Sequence, residues 1–206
     1  MRFLKWAMFS IALMATTANA AAKAEEPTAF DITIGVCASC HGQDGATGIA
    51  PDYPNLAGQN ARYLLTQMQM IQSGERPVPL MAGQLDGKSE EELLRLAEHY
   101  AAMPVKVGRS REENLDAGMR IYRGGIMAKG VAACSACHSP TGKGNAPAGF
   151  PVLSGQRFDY VVAQLVAYRE GVRKTDGEYG SMMRGVASRL TDTEIRAVAN
   201  YIQGLY

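Results

Sequence analysis

The pentapeptides CASCH (residues 37–41) and CSACH (residues 134–138) decide the fold of this 206-residue chain. Together they contain all four cysteines and two of the three histidines. In each copy the two cysteines and the histidine occupy positions i, i+3 and i+4, which lie on one face of a helix. Two thiols and an imidazole therefore point toward one object in each copy.

The C-x-x-C-H pattern is the attachment signature of c-type haem, in which both thiols form thioethers with the porphyrin and the histidine reaches the iron. It predicts two covalently bound haems c, whose protein ligands are Cys37, Cys40 and His41 for the first and Cys134, Cys137 and His138 for the second. A disulfide framework would leave the adjacent histidines unexplained. A zinc site would not explain why each motif has its own complete repeat, and a redox dithiol needs a βαβ context.

An internal repeat surrounds the two motifs. A shift of 97 residues brings one copy onto the other, and five extra residues then enter the second copy. The matched segments are PNLAGQ (54–59) with PVLSGQ (151–156), YLLTQ (63–67) with YVVAQ (160–164), and SEEELLRLAEHY (89–100) with TDTEIRAVANYI (191–202). Both members of the last pair begin with a capping box and continue with apolar residues at helical spacing, which predicts an amphipathic helix closing each unit.

The repeat predicts an all-α protein made of two tandem domains. Each unit is expected to have a short helix through its C-x-x-C-H motif, a middle helix near residues 60–73 or 157–171, and the closing helix. We place the N-terminal domain at residues 25–103, a linker at 104–113 and the C-terminal domain at 114–206. Units this small and rich in glycine bury little core, which favours a large apolar cofactor inside each one.

The first twenty residues have the pattern of a cleaved signal peptide. Arg2 and Lys5 precede the short apolar run WAMFSIALMA, and an A-x-A site ends at residue 20. An uncleaved anchor is the alternative. Export predicts a periplasmic location in a bacterium, and the formal net charge of +1 indicates no nucleic-acid partner.

A haem iron bound by one histidine needs a second axial ligand or an open site, and this choice separates electron carriers from haem enzymes. Met81 lies in a Pro/Gly-rich loop, eight residues before the helix cap Ser89. Counting back eight residues from the matching cap, Thr191, favours Met183 in the second unit, with Met182 as the alternative. The methionines on predicted helices are instead expected to fill the core, and these are Met68, Met70, Met119 and Met127.

Other matched residues suggest how the haems could be held. Pro54 and Pro151 follow their histidines by thirteen residues, so that their carbonyls could accept the second ring N–H, but a plain turn is an equal interpretation. Four further residues at matched positions could bond haem propionates or serve only packing and solvation, and these are Tyr63, Tyr160, Arg76 and Arg173. His99 has no matched histidine and is interpreted as incidental.

The chain resembles the cytochrome c4 family of periplasmic dihaem proteins over about residues 25–206. The resemblance rests on segments of both units, including CASCHGQDG, PNLAGQ, CSACH, PVLSGQ and MMRGVASRLTDTEI. It implies two class I cytochrome c domains, with His41 and Met81 on one iron and His138 and Met183 on the other. It also implies haems that face each other across the domain interface.

Members of that family are associated with passing electrons from the quinol–cytochrome c reductase to a terminal haem–copper oxidase. The resemblance therefore implies a one-electron carrier rather than an enzyme, and leaves peripheral membrane association open. The alternatives are a dihaem subunit of an oxidoreductase complex, such as a flavocytochrome sulfide dehydrogenase, and a dihaem peroxidase. A peroxidase would need an open coordination site, which a methionine candidate in both units disfavours.

Overall fold

The computed structural model describes residues 28–206, so the predicted signal peptide at 1–20 lies outside the described part of the chain. The structure is helical, as the repeat predicts. Its α-helices are α1 (Ala29–His41), α2 (Ala61–Gln72), α3 (Glu90–Ala101), α4 (Leu115–Gly124), α5 (Ser135–His138), α6 (Phe158–Arg169), α7 (Met182–Ala187) and α8 (Asp192–Gln203). Between residues 28 and 206 no helix has the length and apolar character needed to cross a membrane.

In the first unit, helices α2 and α3 pack against each other and α1 carries the C-x-x-C-H motif. Helix α3 begins at the predicted capping box, where the Ser89 hydroxyl and the Glu92 side chain each bond the other's backbone N–H. The clustered core is small, since its buried members are Leu64, Ala97 and Tyr100, and Leu93 and Leu96 of α3 are buried outside this cluster. Much of the helix surface that faces inward in this unit borders a cavity instead of other side chains.

The second unit has a larger core, built where α4 crosses α8 and α6 packs against α8. Gly118 of α4 allows the close crossing, because a Cβ atom there would lie 2.1 Å from the Ala197 carbonyl oxygen of α8. The capping box of Thr191 and Glu194 begins α8, as predicted. The buried members of this cluster are Ile121, Tyr122, Phe158, Val161, Ala197, Val198, Ala199, Tyr201, Ile202 and Leu205.

The two C-x-x-C-H motifs lie in different local structures. Helix α1 runs without a break to His41, whereas α4 ends at Gly124 and the much shorter α5 carries His138. Gly125 follows with a φ of 69°, which ends α4 in the left-handed region that glycine tolerates best. The 3-10 turn that follows leaves Met127 88% exposed, and Met119 of α4 is 37% exposed, so the prediction that these two methionines fill the core is wrong.

The stretch predicted as a linker, residues 104–113, is held against both units. The Gly108 N–H donates to the Gln203 carbonyl of α8 over 2.9 Å. Lys106 forms an ion pair with Asp44 of the first unit over 2.9 Å. The segment therefore connects the two units and also bonds to each of them. The linker boundaries at residues 104 and 113 stay a prediction.

Candidate haem sites

A large cavity of about 1070 Å³ opens between the helices of both units. Its volume lies just above the range of about 300–1,000 Å³ that is usual for a single ligand or cofactor pocket. The cavity brings together every candidate ligand from the sequence, namely Cys37, Cys40, His41, Met81, Cys134, Cys137, His138, Met182 and Met183. No disulfide pairs the four cysteines, and no cluster of three or more Cys, His, Asp or Glu side chains within residues 28–206 could hold a bare metal ion.

The two histidines are held in the same way. His41 and His138 are buried, and the ring Nδ1 of each donates to the proline carbonyl thirteen residues later. The distances are 3.2 Å to the Pro54 oxygen and 2.9 Å to the Pro151 oxygen. Of the two interpretations of these prolines, the hydrogen-bonding one is confirmed. With Nδ1 as the donor, the neutral ring keeps its lone pair on Nε2, the nitrogen free to bind a metal.

Burial sets the protonation of the residues around the cavity. It lowers the pKa of His41 and of His138, and the bonds to the proline carbonyls oppose this effect only in part. Both rings are therefore neutral near pH 7, as a metal ligand must be. Burial also raises the pKa of the Cys134 thiol to about 11, and it raises the pKa of the Cys37 thiol as well.

The methionine candidates lie on short helical turns at the cavity wall. Met81 ends a 3-10 turn, Pro79–Met81, while Met183 is the second residue of α7, so its predicted loop position is wrong for the second unit. The residues just before them, Leu80 and Met182, are 66% and 43% exposed. Met81 and Met183 themselves are half-buried, and the pattern of exposure thus repeats with the register of the sequence.

Two glutamines join the units by reciprocal hydrogen bonds. The Gln59 side chain accepts from the Val152 N–H over 2.7 Å and donates to the Val152 carbonyl over 2.9 Å. At the matched position, the Gln156 side chain accepts from the Asn55 N–H over 2.8 Å and donates to its carbonyl over 2.9 Å. This role was not predicted, although the final Gln shared by PNLAGQ and PVLSGQ is its signal in the sequence.

The matched bonds of the two glutamines show an approximate two-fold symmetry between the units. This symmetry also relates a cluster of arginines and tyrosines at the interface. Arg76 Nη2 donates to the Tyr160 hydroxyl over 3.0 Å, and Arg173 Nη2 donates to the Tyr63 hydroxyl over 2.8 Å. Both guanidinium groups also donate to the buried Gln67. Burial raises the pKa of Tyr160, but the two guanidinium charges outweigh burial and lower it below its ordinary value.

Removing both interface glutamines is expected to weaken the association of the units. In a Gln59→Ala, Gln156→Ala variant, four half-buried backbone groups of the opposite unit lose their partners, which should lower the free energy of unfolding by about 2–6 kcal/mol. Urea unfolding followed by circular dichroism measures the change, and the exposed Gln43→Ala serves as the control. An unfolding curve that matches the control would contradict the role given to the glutamines.

The family model described as cytochrome c matches residues 125–206. A cytochrome c4 of Azotobacter vinelandii is 44% identical over 180 residues, covering 83% of this chain and 85% of the relative. A thiosulfate dehydrogenase electron acceptor of Stutzerimonas stutzeri is 38% identical, covering 80% of this chain and 76% of the relative. The crystal structure of reduced cytochrome c4 from Pseudomonas stutzeri superimposes with a TM-score of 0.81 at 40% identity, covering 85% of this chain and 98% of that one.

Proposed function

The chain belongs to the cytochrome c4 family of dihaem electron carriers, and we propose that it works in the periplasm. Its two tandem cytochrome c domains would carry electrons from the quinol–cytochrome c reductase to a terminal haem–copper oxidase. The observation that carries the proposal is the cavity that both C-x-x-C-H motifs and both matched methionines line. The bound haem irons supply one-electron transfer between the ferric and ferrous states.

The side chains around the cavity suit two haems c. We assign the thioether bonds to Cys37 and Cys40 for one haem and to Cys134 and Cys137 for the other. His41 and His138 would bind the irons through Nε2, because their Nδ1 atoms already donate to the proline carbonyls. These carbonyl bonds fix the tautomer and orientation of each ring, which strengthens the ligand.

Met81 and Met183 would complete the coordination. Met183 is the better match in the second unit because Met182 has the exposed position that Leu80 has in the first, and a leucine cannot bind iron. A methionine sulfur as second axial ligand raises the reduction potential. With both axial positions taken by the chain, neither iron would have an open site for a substrate, which supports a carrier rather than an enzyme.

The arginine cluster at the interface would hold the haem propionates. Arg76 and Arg173 are both more than nine-tenths buried, and within residues 28–206 no carboxylate lies at ion-pair distance from either guanidinium. Buried cations are costly unless an anion compensates them. Propionates from the two haems would supply that negative charge at the boundary between the units, and would bring the two haem edges close together.

The charges of the two units favour different redox partners at the two ends. Residues 28–103 contain nine acidic and four basic side chains, whereas residues 114–206 contain seven acidic and eleven basic ones. Complementary charge speeds encounter and orients a partner before electron transfer. The N-terminal unit would therefore meet a basic partner surface, and the C-terminal unit an acidic one.

A second candidate function is to accept electrons within an oxidoreductase complex. The 38% identical relative from Stutzerimonas stutzeri is named as the electron acceptor of a thiosulfate dehydrogenase. In that case the chain would be purified with a catalytic subunit, and size-exclusion chromatography of the native protein would show a mass well above that of one chain.

Electron transfer to membranes tests the proposed function. The reduced dihaem protein is mixed with oxidase-containing membranes of its own organism, and its reoxidation is followed optically. We expect rapid reoxidation that cyanide blocks and that slows as ionic strength rises, because charged docking is screened by salt. Slow, cyanide-insensitive reoxidation, together with fast reduction by a soluble dehydrogenase, would favour the second candidate instead.

A further inference from the structure

The second unit contains a buried carboxylate for which the first unit has no counterpart. Asp176 is 3% exposed and lies in the stretch KTDGEYG (174–180), where the second copy of the repeat is longer by five residues. It borders the cavity just before α7, the helix that carries Met183.

The Asp176 side chain is bonded to the first turn of α7. Its Oδ2 accepts from the Arg184 backbone N–H over 2.8 Å, and its Oδ1 accepts from Arg184 Nε over 2.7 Å. The Asp176 carbonyl also accepts from the Ser181 N–H over 2.9 Å. Arg184 follows Met183 directly, so that these bonds hold the backbone on both sides of the two methionines.

Helix α7 lacks the usual support at its start. Ser181, the residue before its first turn, has a φ of 63° and its side chain caps no backbone N–H. Asp176, five residues earlier in the chain, supplies the acceptor instead. A charge-assisted bond to a buried carboxylate is among the stronger hydrogen bonds in proteins. Removing the carboxylate leaves the half-buried Arg184 guanidinium without an anionic partner, with only its bond to the Ser181 hydroxyl.

The first unit positions its methionine by other means. Met81 ends a 3-10 turn that begins at Pro79, and Ala82 stands where the second unit has Arg184. The Ala82 N–H donates within this turn, to the Pro79 carbonyl over 3.2 Å. The proline restricts the backbone there, whereas the glycine-rich insertion of the second unit depends on the bonds of Asp176.

We propose that Asp176 is a positioning residue for the second haem site, which keeps the Met183 sulfur directed into the cavity through its bonds to Arg184. The inference rests on the proposed function, because it takes Met183 to be the axial ligand of the second iron. We therefore expect the Met183 ligand to depend on a buried carboxylate, whereas the Met81 ligand does not.

Asp176→Ala in the dihaem protein tests this role. In the oxidised protein, the far-red charge-transfer band between methionine sulfur and ferric iron should fall by about half, since one of two methionine ligands is lost or loosened. The reduction potential of one haem should fall in an optical potentiometric titration, while that of the other stays unchanged. Asp176→Asn, which keeps an oxygen acceptor for the Arg184 N–H, should keep more of the band than Asp176→Ala.

Glu178→Gln is the matched control. Glu178 lies on the same insertion and borders the same cavity, but it is exposed, so the variant removes the same charge and leaves the Asp176 bonds intact. An equal change in potential in both variants would mean that charge alone acts, and would overturn the positioning role. A full band in Asp176→Ala would also overturn it. A wild-type protein without the band would instead refute the methionine ligation of the proposed function.

Discussion

Replacing Cys37 and Cys40 by alanine is expected to leave a chain with one haem instead of two and a first unit that does not fold stably. The clustered core of this unit has three members, and several of the unit's buried apolar side chains line the cavity, so the bound cofactor would supply much of their contact. These cavity-lining side chains are Leu64, Leu85, Leu96 and Tyr100. Without the thioether bonds the haem is held by weaker forces only, and the unit loses both the cofactor and its core.

The corresponding change at Cys134 and Cys137 should also remove one haem, but with a smaller loss of structure. The cluster where α4 and α6 pack on α8 has ten buried members, and only three of them, Val161, Val198 and Ile202, line the cavity. The other seven pack against protein side chains whether or not the cofactor is bound. The first variant should therefore lose more helical circular dichroism and be cleaved faster by protease than the second.

Haem content measured as the pyridine haemochrome, relative to protein, checks both variants. Two haems per chain in either cysteine variant would contradict the assignment of that motif. Equal loss of helix in the two variants would contradict the difference in core size as the reason for their behaviour.

Met183→Ala is expected to remove about half of the far-red charge-transfer band and to lower the reduction potential of one haem, because the replacement takes away one of two axial sulfurs. Met182→Ala should leave both unchanged. The two residues are neighbours, but Met182 is 43% exposed and matches the exposed Leu80, whereas Met183 matches Met81.

Optical spectra and a potentiometric titration of the two variants measure this difference. Met81→Ala provides a positive control, since it should remove the other half of the band. The reverse result, with half of the band lost in Met182→Ala and none in Met183→Ala, would make Met182 the ligand of the second iron. The ligand would then not lie eight residues before the helix cap in both units.

Much of the fold could be predicted because its signals are local. The capping boxes of α3 and α8 involve side chains three residues apart, and both were placed correctly. The middle helices were predicted at residues 60–73 and 157–171, and the structure has α2 and α6 within those bounds. The break between α4 and α5 was missed, because the repeat aligns residues 126–138 with the continuous helix α1 without a gap and gives no sign of the turn after Gly125.

Those parts of the candidate site that depend on sequence motifs or on regular spacing along the chain could be predicted. The two C-x-x-C-H motifs and the methionines eight residues before each cap are relations along one chain, and they could be read without knowing how the units meet. For the prolines after each histidine, the sequence left two interpretations equal, and only the bonds of His41 and His138 distinguished them.

The all-α class, the two haems c and the repeat that pairs each histidine with a methionine candidate follow from the amino-acid sequence. The partners of the buried polar groups follow from the packing of the two units. Gln156 bonds the backbone of Asn55, 101 positions away, and Arg173 bonds Tyr63, 110 positions away. Such partners depend on how the two units pack, because a buried donor or acceptor must bond to a group that is near it in space. Periodicity and local spacing in the sequence do not show which distant residue provides that group.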